Sequence, residues 1–287
     1  MSSERHAAAH AVPLPPRHAG NTFLPLPVIA PSHPRTSRAI QDAARFYSAD
    51  LARIHHAAFG GFARRATPGL LALLRRAGLR DGLVVDLGCG SGIWPRVLLR
   101  AGYDVLGVDV SPAMIRLARR VAPGGRFVVG SAHRVSLPPC VAVTAIGEGL
   151  TYLGAHRRTL DMARLFRRVY RALRPGGLFV FDAVERSASD PMRYHAERAG
   201  RGWQLIVDVA EQPACSLLTR RIAIARTVHG RERQTVEEHH LRTFARPELE
   251  RALRAAGFTV RVRRRYGATP LPPHRFALLA RKPSARS

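Results

Sequence analysis

Five residues between positions 86 and 109 have the types and spacing to do chemistry. Asp86, Gly88, Gly90 and Gly92 lie in "VVDLGCGSG", and Asp109 closes "DVLGVD". Glycines on alternate positions behind an apolar run mark a turn where backbone N–H groups and the next helix N-terminus face a ligand. The dinucleotide fingerprint is GxGxxG, whereas the spacing here is GxGxG, with Ser91 ahead of the third glycine. A carboxylate at Asp86 would repel a pyrophosphate and suits a ligand with a positively charged amine. An acidic side chain at the tip of a second strand, here Asp109, accepts hydrogen bonds from ribose hydroxyls. Together they favour a nucleoside that carries an amino acid.

Alternating strands and helices have to position these groups. "GLVVDLG" reads as a buried strand, "IWPRVLLRAG" as a helix and "DVLGVD" as the second strand. "SPAMIRLARRVA" is a helix with Ser111 as N-cap and Pro112 behind it. "RFVVGS" and "VAVTAIG" follow as strands. A long amphipathic helix, "HRRTLDMARLFRRVYRALR", is ended by "PGG" before a fifth strand, "LFVFDAV". Strands joined by such helices pair in parallel through right-handed crossovers, so a doubly wound α/β sheet is expected. Residues 185–244 break this rhythm and read as three extended segments, an antiparallel insertion that forms a lid or a subunit contact. "RPELERALRAAGF" and the strands "TVRVRRRYG" and "HRFALLARK" complete the sheet. On the N-terminal side, residues 1–34 are Pro- and Ala-rich without periodicity and read as a disordered tail, with the folded domain spanning 35–287. An apolar face through Tyr47, Leu51 and Ile54 predicts a helix from Arg35. A second helix is predicted to start at "TPG", with Thr67 as cap and Pro68 at its first position.

"VVDLGCGSG", "GVDVSPAMI" and "LRPGGLFVFD", in that order, resemble the class I S-adenosylmethionine-dependent methyltransferases of the small-molecule type. The likeness covers residues 65–185 and, more loosely, the C-terminal helix and strands. It implies a Rossmann-like seven-stranded sheet, with N-terminal helices and the antiparallel insertion as additions, and S-adenosyl-L-methionine as cofactor. It places Gly88, Cys89, Gly90 and Gly92 along the methionine moiety, with Asp86 holding the loop or the amine. Asp109 would bind ribose, with Val110 and Met114 beside the adenine. Ser131 and Ala132 stand where many relatives carry an acidic residue, so that contact would be a hydroxyl or backbone bond. Gly147 and Glu148 end strand four, where methyl group and acceptor meet. Glu148, Tyr152 and His239 are the catalytic candidates, and Trp203 and Glu237 to His240 are the insertion's contribution to the acceptor pocket. Strand alternation turns one of His239 and His240 inward. Tyr47 and "IHHAAFGGF" are candidates for a lid.

The expected activity is methyl transfer to nitrogen or oxygen of a small-molecule acceptor. A net charge of +26 raises a second reading, an RNA or DNA methyltransferase. Yet Lys282 is the only lysine, and the arginines fall along polar helix faces, so a solvated surface with non-specific polyanion contact is expected. "PPC", ending at Cys140, precedes strand four rather than following it, which makes it a loop cysteine and not a nucleophile. A third reading is a cofactor-binding scaffold without catalysis. Three scattered cysteines argue for a reducing, cytoplasmic compartment and against disulfides. Adjacent histidines lack metal-ligand spacing, so no metal is expected. No apolar run is long enough for a membrane span, and the insertion offers a surface for a homodimer.

Overall fold

The computed structural model describes residues 46–154, 160–228 and 230–284. The predicted tail and the start of the first predicted helix lie outside them. The fold begins with α1 (Ala49–Ile54), which continues through a π-helical turn at His55–Phe59 into α2 (Gly61–Arg76). The alternation then follows as expected: β1 (Gly82–Leu87), α3 (Ile93–Arg100), β2 (Tyr103–Asp109), α4 (Pro112–Val121), β3 (Arg126–Val129) and β4 (Cys140–Ala145). Helix α5 (Met162–Ala172) leads into β5 (Leu173–Val184). The helix therefore ends ahead of "RPGG", which belongs to the start of the strand.

Seven strands form one sheet in the order β10-β13-β5-β4-β1-β2-β3, where β10 is Thr259–Arg263 and β13 is Arg275–Arg281. Strands β3, β2, β1, β4 and β5 are parallel, and β13 runs antiparallel to both β5 and β10. Two short strands, β11 (Arg265–Tyr266) and β12 (Thr269–Pro270), pair in the connection between β10 and β13. One face packs Phe166 of α5 and Leu253 of α6 (Arg246–Ala255) against Phe179, Phe181 and Phe276. The other packs Leu70, Leu74, Trp94 and Leu98 against Val84, Val105 and Val180. Each fully buried side chain of this size contributes about 1.5–3 kcal/mol, so the double-sided core makes a rigid platform. Chain order reverses between β1 and β4, and ligands of open α/β sheets bind outside the carboxyl ends of strands at such a point.

Between β5 and α6 the insertion folds as a four-stranded antiparallel sheet: β6 (Arg193–Gly200), β7 (Trp203–Gln212), β8 (Leu217–Val228) and β9 (Arg231–Arg242). The expected three segments are thus four strands. The additional one, "RYHAERAG", is almost wholly exposed and carries no apolar alternation to reveal it. The sheet is tied to the core where Leu153 N donates to His240 O and Arg242 N donates to Thr151 O, both at 2.8 Å.

Two further expectations are corrected. Helix α2 starts at Gly61 and runs through Pro68. Proline removes the N–H that would have bonded the Arg64 carbonyl, and Thr67 Oγ1 supplies that bond instead at 2.8 Å. Thr67 is therefore an internal substitute donor and not a cap. Cys140 is the first residue of β4, buried, rather than a loop residue. Burial pushes its thiol up to about 12, so it stays protonated. Ser111 does cap α4, accepting from Met114 N at 3.2 Å.

Candidate active site

A cavity of about 540 Å³ opens at the carboxyl ends of β1, β2 and β4 and extends under the insertion sheet. That volume lies in the ~300–1,000 Å³ range of small-molecule sites. Asp86, Gly88, Cys89, Gly90, Asp109, Val110, Met114, Ser131, Ala132, Gly147, Glu148 and Tyr152 all line it. The structure thus gathers, from the carboxyl ends of the four strands β1 to β4, twelve residues that the sequence singles out.

The three loop glycines have left-handed backbones, with φ of 73° at Gly88, 53° at Gly90 and 82° at Gly92, but they face different neighbours. A Cβ on Gly90 would point into open space, whereas one on Gly92 would stand 2.9 Å from Ala118 Cα of α4. Gly92 is therefore a packing residue and does not line the cavity, a correction to its expected role. Asp109 anchors the loop: its Oδ2 accepts from Gly90 N at 2.9 Å and its Oδ1 from Ser111 N at 2.8 Å. Burial raises its pKa, and these two N–H groups lower it in part. Asp86 Oδ1 instead accepts from Thr144 Oγ1 at 2.6 Å, and Thr144 is held in turn by Trp94 Nε1. Burial lifts the Asp86 carboxyl to about 7, against the Thr144 bond and with help from Asp109. Cys89 packs on Ile115, Ala118 and Phe127, and burial keeps it a thiol.

Strand four ends in a strained turn. Gly147 has φ 82° and Glu148, although not glycine, φ 62°. Asp182 on β5 holds this geometry, its Oδ1 accepting from both Gly147 N and Glu148 N at 2.8 Å. Strain held by neighbouring structure in this way clusters at functional sites. The Glu148 Oε1 then accepts from Arg220 Nη2 at 3.0 Å and Arg275 Nη2 at 2.7 Å. Burial alone would raise Glu148, but the two guanidinium groups hold its carboxyl below the usual range. Arg220 Nη1 also donates to Tyr152 Oη at 3.2 Å, and Tyr152 Oη lies 2.9 Å from Tyr47 Oη. Burial raises both tyrosines.

His239 is fully buried but does not line the cavity. It sits behind the tyrosines, with ring centroids 5.1 Å from Tyr47 and 5.7 Å from Tyr152, and Nε2 2.9 Å from Glu237 Oε2. Its expected place among the groups meeting the ligand is corrected to a supporting one. Glu237 accepts from Tyr47 N and Ser48 N at 2.8 Å, which fastens the N-terminal segment to β9. His240 is turned the other way, toward Glu238 at 3.0 Å. Trp203 also stays out of the cavity and packs beside Leu51, Ile54 and Leu205. The N-terminal segment does cover the site: Phe46, Tyr47, His55 and Phe59 line it, and His56 Nδ1 lies 2.8 Å from Ser91 Oγ of the glycine loop.

Arg198, Arg220 and Arg275 were not among the candidates. The register offers the missing signal: Tyr194, Val209, Arg220 and His239 form one rank across the insertion sheet, on the face that covers the cavity. Among the described residues no cluster of His, Cys, Asp and Glu could hold a metal, and no helix is long and apolar enough to cross a membrane.

Fold and site together define a doubly wound α/β protein with a nucleoside-sized pocket at its switch point. Residues 84–177 match the model of a methyltransferase domain family. The chain is 33% identical over 107 residues to a ubiquinone biosynthesis O-methyltransferase of Methylobacterium, covering 36% of this chain and 41% of that one. It is 26% identical over 180 residues to a malonyl-[acyl-carrier protein] O-methyltransferase of Serratia marcescens, covering 61% and 64%. The matches thus span about half the length of these relatives. The sugar N-methyltransferase KedS8 from Streptoalloteichus shares the fold with a TM-score of 0.66 at 20% identity, covering 90% of this chain and 99% of that one. Residues 84–177 are thus like a methyltransferase domain, and the comparisons support a class I S-adenosylmethionine-dependent methyltransferase.

Proposed function

We propose that the protein transfers a methyl group from S-adenosylmethionine to an oxygen or nitrogen atom of a small-molecule acceptor. The observation that carries this reading is the single cavity shared by the glycine loop and the insertion sheet. The residues present fit the cofactor. Asp86 and Asp109 are the carboxylates for an amine and for ribose hydroxyls, and Val110, Met114 and Ala132 supply an apolar wall for a base. The open space at Gly90 and Gly147, where a Cβ would meet nothing within 4 Å, leaves backbone accessible to a ligand.

The cofactor supplies an activated methyl group on a sulfonium, so the protein's share of the work is positioning. Asp109 sets the loop by fixing Gly90 N. Asp182 sets the strand-four turn, which carries Glu148 toward the acceptor side. Tyr47, Tyr152 and Arg220 form a linked wall there, and the insertion sheet and the segment 46–60 exclude water. Orientation of this kind supplies up to ~7–11 kcal/mol of barrier lowering.

Support for a small acceptor comes from the roof over the cavity, and the O- and N-methyltransferase names of the relatives are compatible with either acceptor atom. We place the protein in the cytoplasm, with non-specific polyanion contact through its arginine-rich surface. The β6 edge of the insertion sheet is the surface we assign to a homodimer. The test is incubation with methyl-labelled S-adenosylmethionine and separate pools of small metabolites and RNA. Label is expected in a small-molecule product; label confined to RNA overturns the reading.

A further inference from the structure

The acceptor half of the cavity is walled by cations. Arg220 on β8 and Arg275 on β13 both direct Nη2 at one oxygen of Glu148, so two positive charges share one carboxylate. Arg198 on β6 adds a third, its guanidinium 5.0 Å above the Phe59 ring. Asp182 lies beneath the turn rather than in the cavity, and Glu237 is turned to the backbone of Tyr47 and Ser48. Even with Asp182 ionised, three guanidinium groups face two carboxylates. Arg220 has five N–H groups, of which one points at Tyr152 and one at Glu148, leaving donors for a ligand.

Among the described residues, each candidate base of the same half is either paired or weakened. Glu148 is clamped by two arginines, and the hydroxyls of Tyr47 and Tyr152 are bonded to each other. His55 is held down to about 4, first by burial and then by Arg220, and its Nδ1 has no partner. An alcohol, a phenol or an ammonium has to lose a proton to become a nucleophile. A carboxylate does not, and it also matches the planar fork of an arginine.

Resting on the methyl-transfer reading, we infer that the acceptor is a carboxylic acid, taken as its carboxylate and methylated on oxygen. A carboxylate oxygen forms the bond to the methyl carbon while the sulfur–methyl bond breaks and its electron pair stays on sulfur. A sulfonium and an anion become a neutral thioether and a neutral methyl ester, and no proton is released. Arg220 holds the carboxylate, and Arg198 draws it in at the mouth.

The test uses the full chain saturated with S-adenosylhomocysteine and titrated calorimetrically with phenylacetate, phenylacetamide and phenethylamine. Phenylacetate should bind at least ~10-fold more tightly than either, the scale of a charge-assisted hydrogen bond. Arg220→Met should abolish that preference. Because this change also unbalances Glu148, Arg198→Met serves as the second variant and should weaken phenylacetate alone. Label transferred from the cofactor to a carboxylic acid should be released as methanol by mild alkali. Phenylacetate binding no tighter than the amide, or not at all, overturns the proposal, as does an alkali-stable product. Failure of S-adenosylhomocysteine itself to bind would instead sink the methyl-transfer reading.

Discussion

Glu148 and Arg220 lie 72 positions apart and meet at 3.0 Å, joining the strand-four turn of the core to β8 of the insertion. Both side chains are buried, at 5% and 12% exposure. Removing one partner of a buried ion pair leaves an uncompensated charge and costs about 3–5 kcal/mol. Glu148→Gln should therefore lower unfolding stability by that order in urea titrations, with Arg220 and Arg275 left to repel each other. A loss below ~1 kcal/mol would show that the pair is open to water.

The loop glycines separate folding from binding. Gly92→Ala sets a Cβ 2.9 Å from Ala118 Cα at φ 82° and should cost about 1–3 kcal/mol of stability. Gly90→Ala meets nothing within 4 Å, so only the left-handed backbone opposes it, by about 1–2 kcal/mol. Its Cβ would stand in the space proposed for the cofactor. Calorimetry on the two variants should find binding lost in Gly90→Ala and the larger drop in melting temperature in Gly92→Ala. Equal effects on both measurements would contradict this division.

Asp86 makes stability depend on pH. Its folded carboxyl is raised to about 7 by burial, above an unfolded value of 3.8. Between those values the native state holds the proton and the unfolded state does not, so stability falls as pH rises through this window and then levels off. Asp86→Asn keeps an acceptor for Thr144 Oγ1 and removes the titration. The variant should gain stability relative to the wild type at pH 8 compared with pH 4, while losing affinity for the cofactor. A stability difference independent of pH between 4 and 8 would refute the assignment.

Local signals made much of this molecule legible. Ser111 ahead of Pro112 marked the start of α4, and alternate glycines behind an apolar run marked the cavity floor. Such features depend on near neighbours in the chain. What escaped depends on distant ones. Thr67 reads as a cap until its hydroxyl is seen replacing the N–H that Pro68 lacks. Strand β6 pairs along its backbone while nearly all its side chains stay exposed, even those at the cavity rim, so it shows no apolar periodicity. Arg220 is one of 46 basic residues and is distinguished only by register, which sets it beside Val209 and His239 on the covered face. Gly92 is a turn glycine and one of the two adjacent histidines does face inward, but their neighbours place Gly92 and His239 one layer behind the cavity rather than at the ligand.

The glycine loop, held by Asp109, is the proposed binding site of S-adenosylmethionine. Calorimetric titration of the cofactor into the wild type and Asp109→Ala tests it most directly. One-site binding to the wild type is expected, with a weakening of at least ~10-fold in the variant, where Gly90 N and Ser111 N lose their acceptor. No binding to the wild type, or equal affinity in the two proteins, would contradict it.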